Sequence, residues 1–185
     1  MLRPLPARRG LRVMLHMPGM RDQAEFLRLV QMSRSFHRGW TSPPSTPGAF
    51  ARYRAACRRP DHAGLLIRRK PDGALVGAIQ ISQIARGLFQ SAYLGFWIGA
   101  PYARQGLMYE ALGLTLHFAF RQLRLHRLEA NVQPTNVASL ALVRRLGFRR
   151  EGYSPRYLKI GGRWRDHERW ALLTEEWRPA RHGDA

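Results

Sequence analysis

Two segments of the chain each lead from an apolar strand pattern, through a short loop, into a helix pattern. In residues 94–112 the loop contains Gly106, and apolar residues at helical spacing follow it. In residues 129–148 the loop reads Pro-Thr-Asn, and the helix that follows ends at Gly147. Two such strands, ending side by side with a helix after each, predict a sheet with a cleft between its central strands.

Apolar periodicity and turn residues predict the other elements. Asp22 and Glu25 match an acidic capping box at the start of a helix whose apolar stripe includes Phe26. Thr46, followed by a proline, begins a second helix. The predicted strands are 11–15, 64–68, 74–82, 92–99 and 127–133, with a closing hairpin of 148–160 and 164–173; the predicted helices are 21–34, 46–58, 106–123 and 136–146. This order predicts an α/β (α+β) chain with a mixed sheet flanked by helices.

The chain has 185 residues, 45% of them hydrophobic, which predicts one domain over 1–185. The single cysteine, Cys57, excludes an internal disulfide and leaves too few thiols for a zinc ribbon or an iron–sulfur cluster. The histidines show no ligand spacing, so the sequence predicts no metal site. It contains neither a run of 18 apolar residues nor a signal-peptide pattern, which predicts a soluble, cytoplasmic protein without membrane contact.

The charge is the most unusual feature of the composition. Lysine and arginine number 31 against 12 aspartate and glutamate, a formal net charge of +19, and only Lys70 and Lys159 are lysines. A GC-rich genome would explain arginine in place of lysine but not the shortage of acids. The alternative is a polyanionic partner such as nucleic acid, a ribosome or a phosphate-bearing cosubstrate, and both interpretations stay open.

The loop that contains Gly106 is a candidate phosphate site. The first amides of a helix lack internal partners and lie at the positive end of the helix dipole. Gly106 lets a phosphate approach the backbone without meeting a Cβ atom, and Arg104 adds a fixed positive charge. On the opposite wall of the cleft we expect Asn136 and Ser139. Each of these features also has a structural interpretation: a simple turn for Gly106, a helix N-cap for Asn136 and a solvated residue for Ser139.

Together the two segments resemble the acetyl-CoA-binding core of the GNAT N-acetyltransferases and, within that family, the ribosomal-protein-alanine acetyltransferases of the RimJ/RimL group. The resemblance covers residues 10–178. It rests on the order and spacing of the stretches 35–40, 93–99, 105–112, 126–131, 134–136, 146–148, 151–153 and 164–167. It implies the GNAT fold, a mixed β-sheet flanked by helices with splayed central strands. It also implies transfer of acetyl from acetyl-CoA to the N-terminal amine of a protein, an alanine of a ribosomal protein.

The resemblance also implies roles for individual residues. The splayed strand and the loop amides would hold the pantetheine and the pyrophosphate, Asn136 would bind the pantetheine, and Ser139 would donate a hydrogen bond to the departing thiolate. The acceptor would enter between the first helices and the final hairpin. The implied cofactor-binding residues are Phe96, Trp97, Ile98, Arg104, Gln105, Gly106, Leu107, Met108, Asn136 and Ser139, and the implied substrate-binding residues are His37, Trp40, Tyr157, Trp164, Asp166 and His167. Core packing is the alternative for each tryptophan, and a structural hydrogen bond is the alternative for the Asp-His pair.

The phosphate loop departs from the family's usual pattern, Gln/Arg-x-x-Gly-x-Gly/Ala, at its first position. That position is Ala103 here, and Arg104 follows it as a substitute for the lost side chain. The last position is Met108, which is normal for this group. Because backbone amides do most of the binding, the resemblance implies weaker affinity for acetyl-CoA rather than none.

The general base is left unassigned. Some family members carry a glutamate five residues before the asparagine, and that position is Asn131 here. Glu129 lies two residues earlier on the same face of the strand, so Ser139, Glu129 and Asn131 are the catalytic candidates. A weak base would suffice for an N-terminal amine. Its pKa near ~8, against ~10.4 for lysine, makes deprotonation cost about 3 kcal/mol less at neutral pH.

Two other functions stay open. A small-molecule acetyltransferase, acting on an antibiotic, polyamine or amino acid, would need a deep pocket lined with carboxylates, whereas an open groove would favour a peptide. A non-enzymatic ribosome- or RNA-associated factor would keep the fold without the chemistry. The expected partners are acetyl-CoA, the N-terminus of a ribosomal protein and, through the basic surface, the ribosome or its RNA.

Overall fold

The computed structural model describes residues 12–178, which contain a seven-stranded mixed sheet in the order β1-β2-β3-β4-β5-β7-β6. Neighbouring strands are antiparallel except for β4 and β5, which are parallel. The elements are β1 (Val13–His16), α1 (Gln23–Met32), α2 (Arg34–His37), α3 (Pro47–Ala56), β2 (His62–Arg69), β3 (Leu75–Ala85), β4 (Ser91–Ile98), α4 (Leu107–His117), β5 (Arg127–Val132), α5 (Val137–Arg145), β6 (Arg149–Ile160) and β7 (Arg163–Leu173). The predicted fold class is confirmed. Among the helices of this part of the chain, none is long and apolar enough to span a membrane.

Two buried clusters hold the helices against opposite faces of the sheet. Leu66 in β2 belongs to the cluster of α1 and α3, with Phe26 and Phe50 at its centre. Its neighbour Ile67 belongs to the larger cluster, which contains Leu112 of α4. Since successive residues of a strand point to opposite faces, the two clusters are separated by the sheet.

The predicted helix 21–34 is interrupted. A 3₁₀ turn, Met20–Asp22, precedes α1, and Ser33 separates α1 from the short α2. The Ser33 hydroxyl accepts the backbone N–H of Ala100 at 2.9 Å, and Ser33 is fully buried. The break is therefore made by a partner that follows β4. The predicted strand 11–15 begins at Leu11, which lies outside the described residues.

The predicted capping box at Asp22 and Glu25 is wrong. Asp22 is 1% exposed and accepts a hydrogen bond from Arg68 Nη2 at 2.7 Å and from the backbone N–H of Gly19 at 2.7 Å. Glu25 accepts from Arg68 Nη1 at 2.9 Å and from the backbone N–H of Leu75 at 2.7 Å. A guanidinium forms stronger, charge-assisted hydrogen bonds than an amide does, so both carboxylates join α1 to β2 and β3 instead.

The other local signals are confirmed. The Thr46 hydroxyl accepts the N–H of Ala49 at the start of α3, and Gly147 takes a left-handed conformation after α5, with φ of 90°. The turn between β6 and β7 is built from Gly161 and Gly162, both at positive φ, as a two-residue hairpin turn requires.

The parallel strands β4 and β5 pair over only three positions. The pairs are Ser91 with Arg127, Ala92 with Leu128, and Tyr93 with Glu129. Beyond Tyr93, β4 stays paired with β3 to Ile98, and β5 stays paired with β7 to Val132. The predicted splaying of the central strands is confirmed, and it opens a slot between them.

We predict that Arg68 holds Asp22 in its ionised, buried form. Burial alone raises the pKa of Asp22, but the hydrogen bonds from Arg68 and from Gly19 bring it below its ordinary value. Replacing Arg68 with Met leaves a buried carboxylate without its cation, and we expect a loss of about 3 kcal/mol in unfolding free energy at pH 7. Arg59→Met is the matched control: it removes the exposed pair with Asp61 and should change the unfolding free energy far less.

The same pair predicts a pH dependence. Because the folded pKa of Asp22 is depressed, its contribution to stability is present above the ordinary aspartate pKa and is lost as pH falls through the folded value. In Arg68→Met the Asp22 pKa is raised, so its penalty shrinks as the carboxyl protonates. Urea unfolding at pH 7 and pH 4 should therefore show a smaller difference between the two proteins at pH 4. An equal difference at both pH values would contradict this role.

Candidate active site

The loop between β4 and α4 holds two residues in left-handed conformations. Gly106 has φ of 76° and Arg104 has φ of 61°. The first is easy for glycine, but the second is uncommon for a residue with a Cβ atom. A Cβ atom on Gly106 would lie 3.1 Å from Arg12 Nη2, so the position has little room as well. After this turn α4 begins at Leu107, and the amides of its first turn have no intrahelical partners.

Arg12 stabilises the start of α4. Glu110, in the first turn of α4, would repel an anion, but Arg12 neutralises it. The Arg12 backbone N–H and Nε donate to its two carboxylate oxygens at 2.7 and 2.6 Å. Arg12 Nη2 also donates to the carbonyl of Gln105 at 2.9 Å, which fixes the loop. The N-terminus of α4 is left with its positive dipole end and without an uncompensated negative charge.

A cavity of about 580 Å³ lies between the end of β4, this loop and the start of α5. All ten residues implied for cofactor binding line it: Phe96, Trp97, Ile98, Arg104, Gln105, Gly106, Leu107, Met108, Asn136 and Ser139. Ala103 lines it too, beside Arg104. The structure thus brings together residues that are up to 43 positions apart, and their role in binding acetyl-CoA stays a prediction.

Arg145 is a lining residue that the sequence analysis missed. Its guanidinium lies 4.2 Å from the ring centroid of Tyr109, and with Arg104 it gives the cavity two positive charges. Asn136, Ser139, Leu142 and Arg145 all line the cavity and are spaced three residues apart, the spacing of one helix face. Following that face from Asn136 would have identified Arg145.

Asn136 is the N-cap of α5, as predicted. Its side-chain oxygen accepts the backbone N–H of Ser139 at 3.2 Å. The capping bond occupies the oxygen of Asn136 and the amide of Ser139. The NH₂ group of Asn136 and the hydroxyl of Ser139 take no part in it, so the cap is compatible with a role in binding.

A smaller cavity of about 130 Å³ lies in the slot between β4 and β5. Its wall on β5 includes Asn131, whose side-chain oxygen is buried and has no hydrogen-bond partner among the described residues. Trp40, Phe96, Asn136 and Ser139 line both cavities, so the two meet at these side chains. Thr41 lines both as well, and no aspartate or glutamate is among the described residues that line either one.

The structure divides the implied substrate-binding residues. His37 lines the larger cavity, His167 lines the smaller one, and Trp40 lines both. The His37 ring is bonded to the carbonyl of Ile98 at 2.8 Å through Nε2, and burial lowers its pKa. The ring of Tyr157 packs beside His167, with centroids 6.2 Å apart.

Tyr157, Trp164 and Asp166 lie outside the lining of both cavities. Trp164 is 60% exposed, so the core-packing alternative is wrong for this tryptophan. Asp166 accepts hydrogen bonds from the hydroxyl of Tyr153 and from the backbone N–H of Arg156, the latter at 2.7 Å. The structural-hydrogen-bond alternative therefore holds for Asp166.

Glu129 is held away from the slot. Arg127 Nε donates to it at 2.8 Å, and the same guanidinium pairs with Glu151. Glu129 lines neither cavity. Of the three catalytic candidates, the structure brings Ser139 and Asn131 together and does not bring Glu129 to them.

Known proteins share this fold and parts of this sequence. The Acetyltransferase (GNAT) domain model matches residues 12–149. The [Ribosomal protein uS5]-alanine N-acetyltransferase of Escherichia coli K12 is 43% identical over 107 residues, which are 58% of this chain and 55% of that protein. The probable N-acetyltransferase YjcK of Bacillus subtilis is 37% identical over 105 residues, 57% of this chain and 58% of that protein. The chain thus spans little more than half the length of these curated relatives.

A solved structure of Mycobacterium smegmatis RimJ in complex with CoA-disulfide superposes with a TM-score of 0.81 and 32% identity, covering 89% of this chain and 83% of that one. RimL, solved as a coenzyme A complex, superposes with a TM-score of 0.80, covering 91% of this chain and 97% of that one. At 19% identity this similarity concerns the fold alone. These findings confirm the resemblance seen in the sequence: the chain belongs to the GNAT acetyltransferase family.

Proposed function

We propose that the protein transfers the acetyl group of acetyl-CoA to the N-terminal α-amine of a ribosomal protein, with alanine as the acceptor residue. The amine attacks the thioester directly within a ternary complex. The observation that carries the proposal is the pair of cavities that meet at Ser139, one beside a helix N-terminus and one in the slot between β4 and β5.

The larger cavity suits a cosubstrate that carries phosphates on a long arm. The amides at the start of α4 and the Arg104 and Arg145 side chains supply positive charge for the phosphates. The edge of β4 beyond Tyr93 is free of β5, so its backbone groups are available to an extended arm. Named relatives support this cosubstrate, because RimJ and RimL were solved with coenzyme A derivatives.

Ser139 stands at the junction where the amine and the thioester would meet. As the amine nitrogen bonds to the carbonyl carbon, the carbon–sulfur bond breaks and negative charge develops on sulfur. A hydroxyl donor at that point stabilises the leaving thiolate and passes it a proton.

The smaller cavity favours a neutral α-amine over a polycation. A polyamine carries several charges that need carboxylate partners, and none lines either cavity. A volume of about 130 Å³ admits one small side chain with its amine, in keeping with alanine. The E. coli relative acts on an alanine of a ribosomal protein, by its name, which supports the same acceptor class here.

Intact-mass spectrometry of ribosomal proteins, from cells with and without the gene, tests the acceptor directly. We expect the mass of one ribosomal protein to be about 42 Da lower in the deleted strain, because that protein lacks one acetyl group. In vitro, peptides that begin with alanine should be acetylated, and the same peptides with a blocked N-terminus should not. Turnover of spermidine instead would indicate the small-molecule alternative, and no thiol release with any amine would indicate a non-enzymatic factor.

We predict that charge at position 106 prevents binding of acetyl-CoA. Gly106→Glu places a negative charge at the helix start, and affinity measured by calorimetry should fall at least about tenfold. Gly106→Gln is the matched control: it has the same size and the same backbone strain at positive φ, and it should lose less affinity than the glutamate variant. If the two variants lose the same affinity for acetyl-CoA, backbone strain alone explains the loss, and a phosphate site at this loop is contradicted.

We predict that Ser139→Ala lowers kcat by roughly ten- to a thousandfold with little change in acetyl-CoA affinity, because one transition-state donor is lost. Ser91→Ala, at the start of β4 and outside the lining of both cavities, serves as the control and should keep full activity. If affinity falls and turnover does not, Ser139 is a binding residue and the donor lies elsewhere.

The basic surface supports a polyanionic partner. In residues 12–178 every carboxylate except Asp166 forms an ion pair with an arginine or a histidine. Nine of these carboxylates are therefore already paired with an arginine, and the excess arginines carry charge that no carboxylate compensates. We infer that this surface contacts ribosomal RNA while the slot receives the acceptor, which is consistent with a cytoplasmic protein.

The expected result is a steep salt dependence of ribosome binding. If six to ten arginines contact phosphates, affinity should fall by about 10³ to 10⁵ between 50 and 200 mM salt, and by roughly fortyfold with only three contacts. Acetylation of a free peptide in the same buffers should show no such loss. Co-sedimentation with ribosomal subunits across a salt series measures the first quantity. If the protein does not bind ribosomes at 50 mM salt, or if its affinity does not change with salt, the contact with RNA is contradicted. Genome composition would then explain the arginine excess.

A further inference from the structure

His167 is a buried histidine at the acceptor end of the slot. It lies on β7, is 3% exposed and lines the smaller cavity together with Asn131 and Ser139. Its Nδ1 lies 2.9 Å from the carbonyl oxygen of Arg165. A carbonyl only accepts hydrogen bonds, so Nδ1 carries the hydrogen and donates it. In the neutral ring Nε2 is then an acceptor with a free lone pair.

The strand register places this ring and Asn131 on one face of the sheet. Asn131 of β5 is paired with Arg169 of β7, and His167 lies two residues before Arg169 in the same strand. Residues two apart in a strand point to the same face. The side-chain oxygen of Asn131 is buried without a partner, so it too is an acceptor that nothing in the described chain satisfies.

We propose that His167 is the general base of the reaction, and that Asn131 holds the reacting nitrogen by accepting a hydrogen bond from it. This inference rests on the proposed function, because it takes the N-terminal amine as the acceptor. The hydrogen on Nδ1 and the position of the ring in the smaller cavity make His167, rather than a carboxylate, the proton acceptor.

Each proton released in the reaction has an acceptor in the slot or in solvent. The acceptor enters as an ammonium, and His167 Nε2 takes one proton from it, giving a free amine and an imidazolium. The amine nitrogen bonds to the thioester carbon and the carbon–sulfur bond breaks. The proton that the nitrogen then sheds reaches the thiolate through the Ser139 hydroxyl. His167 later loses its proton to solvent, so the net products are the amide, the thiol and one proton.

The electrostatics of the slot are suited to a neutral histidine. Burial lowers the pKa of His167, and the Arg165 carbonyl and the adjacent Asp166 offset part of this. From β6 the titratable group facing the ring is Tyr157, while β5 and α5 contribute the neutral side chains of Asn131 and Ser139. With no carboxylate in the lining, the buried ammonium of the acceptor is destabilised. Its pKa falls, so a weak base is enough to deprotonate it.

The other candidate bases are worse placed. Glu129 is held by Arg127 and lines neither cavity. His37 donates from Nε2 to the carbonyl of Ile98, and its Nδ1 is buried without a partner and without access to the smaller cavity. His167 is thus the histidine whose free lone pair belongs to the acceptor cavity in the described part of the chain.

The test is His167→Asn, which keeps an N–H donor for the Arg165 carbonyl and removes the base. At pH 7 we expect kcat on an alanine-initiated peptide to fall by roughly 10² to 10⁴, with unchanged calorimetric affinity for acetyl-CoA. Between pH 7 and 9 the free-amine fraction of the acceptor rises about tenfold, so the deficit relative to wild type should shrink by about that factor. His126→Asn, an exposed residue paired with Glu175 outside both cavities, is the control and should match wild type.

Nitrogen-15 NMR of the imidazole rings of the wild-type protein supplies a readout independent of activity. At pH 7 the His167 ring should be neutral, with the hydrogen on Nδ1. A hydrogen on Nε2, or an imidazolium, would overturn the assignment, and so would a variant deficit that is the same at pH 7 and 9. Wild-type protein inactive on every alanine-initiated peptide would overturn the proposed function itself, and the base with it.

Discussion

The site depends on where the hydrogen bonding between β4 and β5 stops. After Tyr93 and Glu129 the two strands part, yet each keeps its outer partner, β3 for one and β7 for the other. The sheet therefore stays intact on both sides of the gap while the backbone groups between the strands are freed. A closed sheet would satisfy those groups internally and leave no slot, since unpaired buried backbone groups are costly. The gap is stable because it is lined by side chains and open to a ligand.

Two helices begin at this gap, and each starts with a residue that fixes its position. Gly106 supplies the left-handed turn before α4, and Asn136 caps α5. Arg12 ties the first of these helices to the start of β1 by bonding both Glu110 and the Gln105 carbonyl. As a result the first residues of both helices line the larger cavity, and Asn136 and Ser139 also line the smaller one.

Local chemistry explains why much of this could be predicted from the sequence. The N-caps at Thr46 and Asn136, the stop at Gly147 and the two-glycine turn of the last hairpin are decided by neighbours within four residues. The strand–glycine–helix segment is equally local, and all ten implied cofactor residues do line one cavity. The binding they are proposed to carry out is a separate question that the Gly106 and Ser139 variants address.

The errors arise where a distant partner outweighs a local one. The capping box at Asp22 gave way to Arg68, 46 residues away, and the helix break at Ser33 depends on Ala100, 67 residues away. Strand alternation alone makes Glu129 a candidate base, but alternation carries no information on the ion pair that Arg127 forms with it. With 31 lysines and arginines against 12 acids, most carboxylates of this chain have an arginine available as a partner. The charge count alone therefore argues against a free carboxylate as the base.

That pairing has a consequence for the chemistry of the slot. No described carboxylate lines either cavity, so the slot lacks a counter-charge for a cation, while Arg104, Arg145 and the helix start give the larger cavity positive charge for an anion. An anionic cosubstrate is attracted to such a site, and an ammonium that follows it is driven to give up its proton. The step that an acetyltransferase must promote, conversion of a charged amine into a neutral nucleophile, is then favoured by the shortage of acids. A neutral imidazole is a sufficient proton acceptor in that setting, because the amine it deprotonates has already lost much of the stabilisation of its charged form.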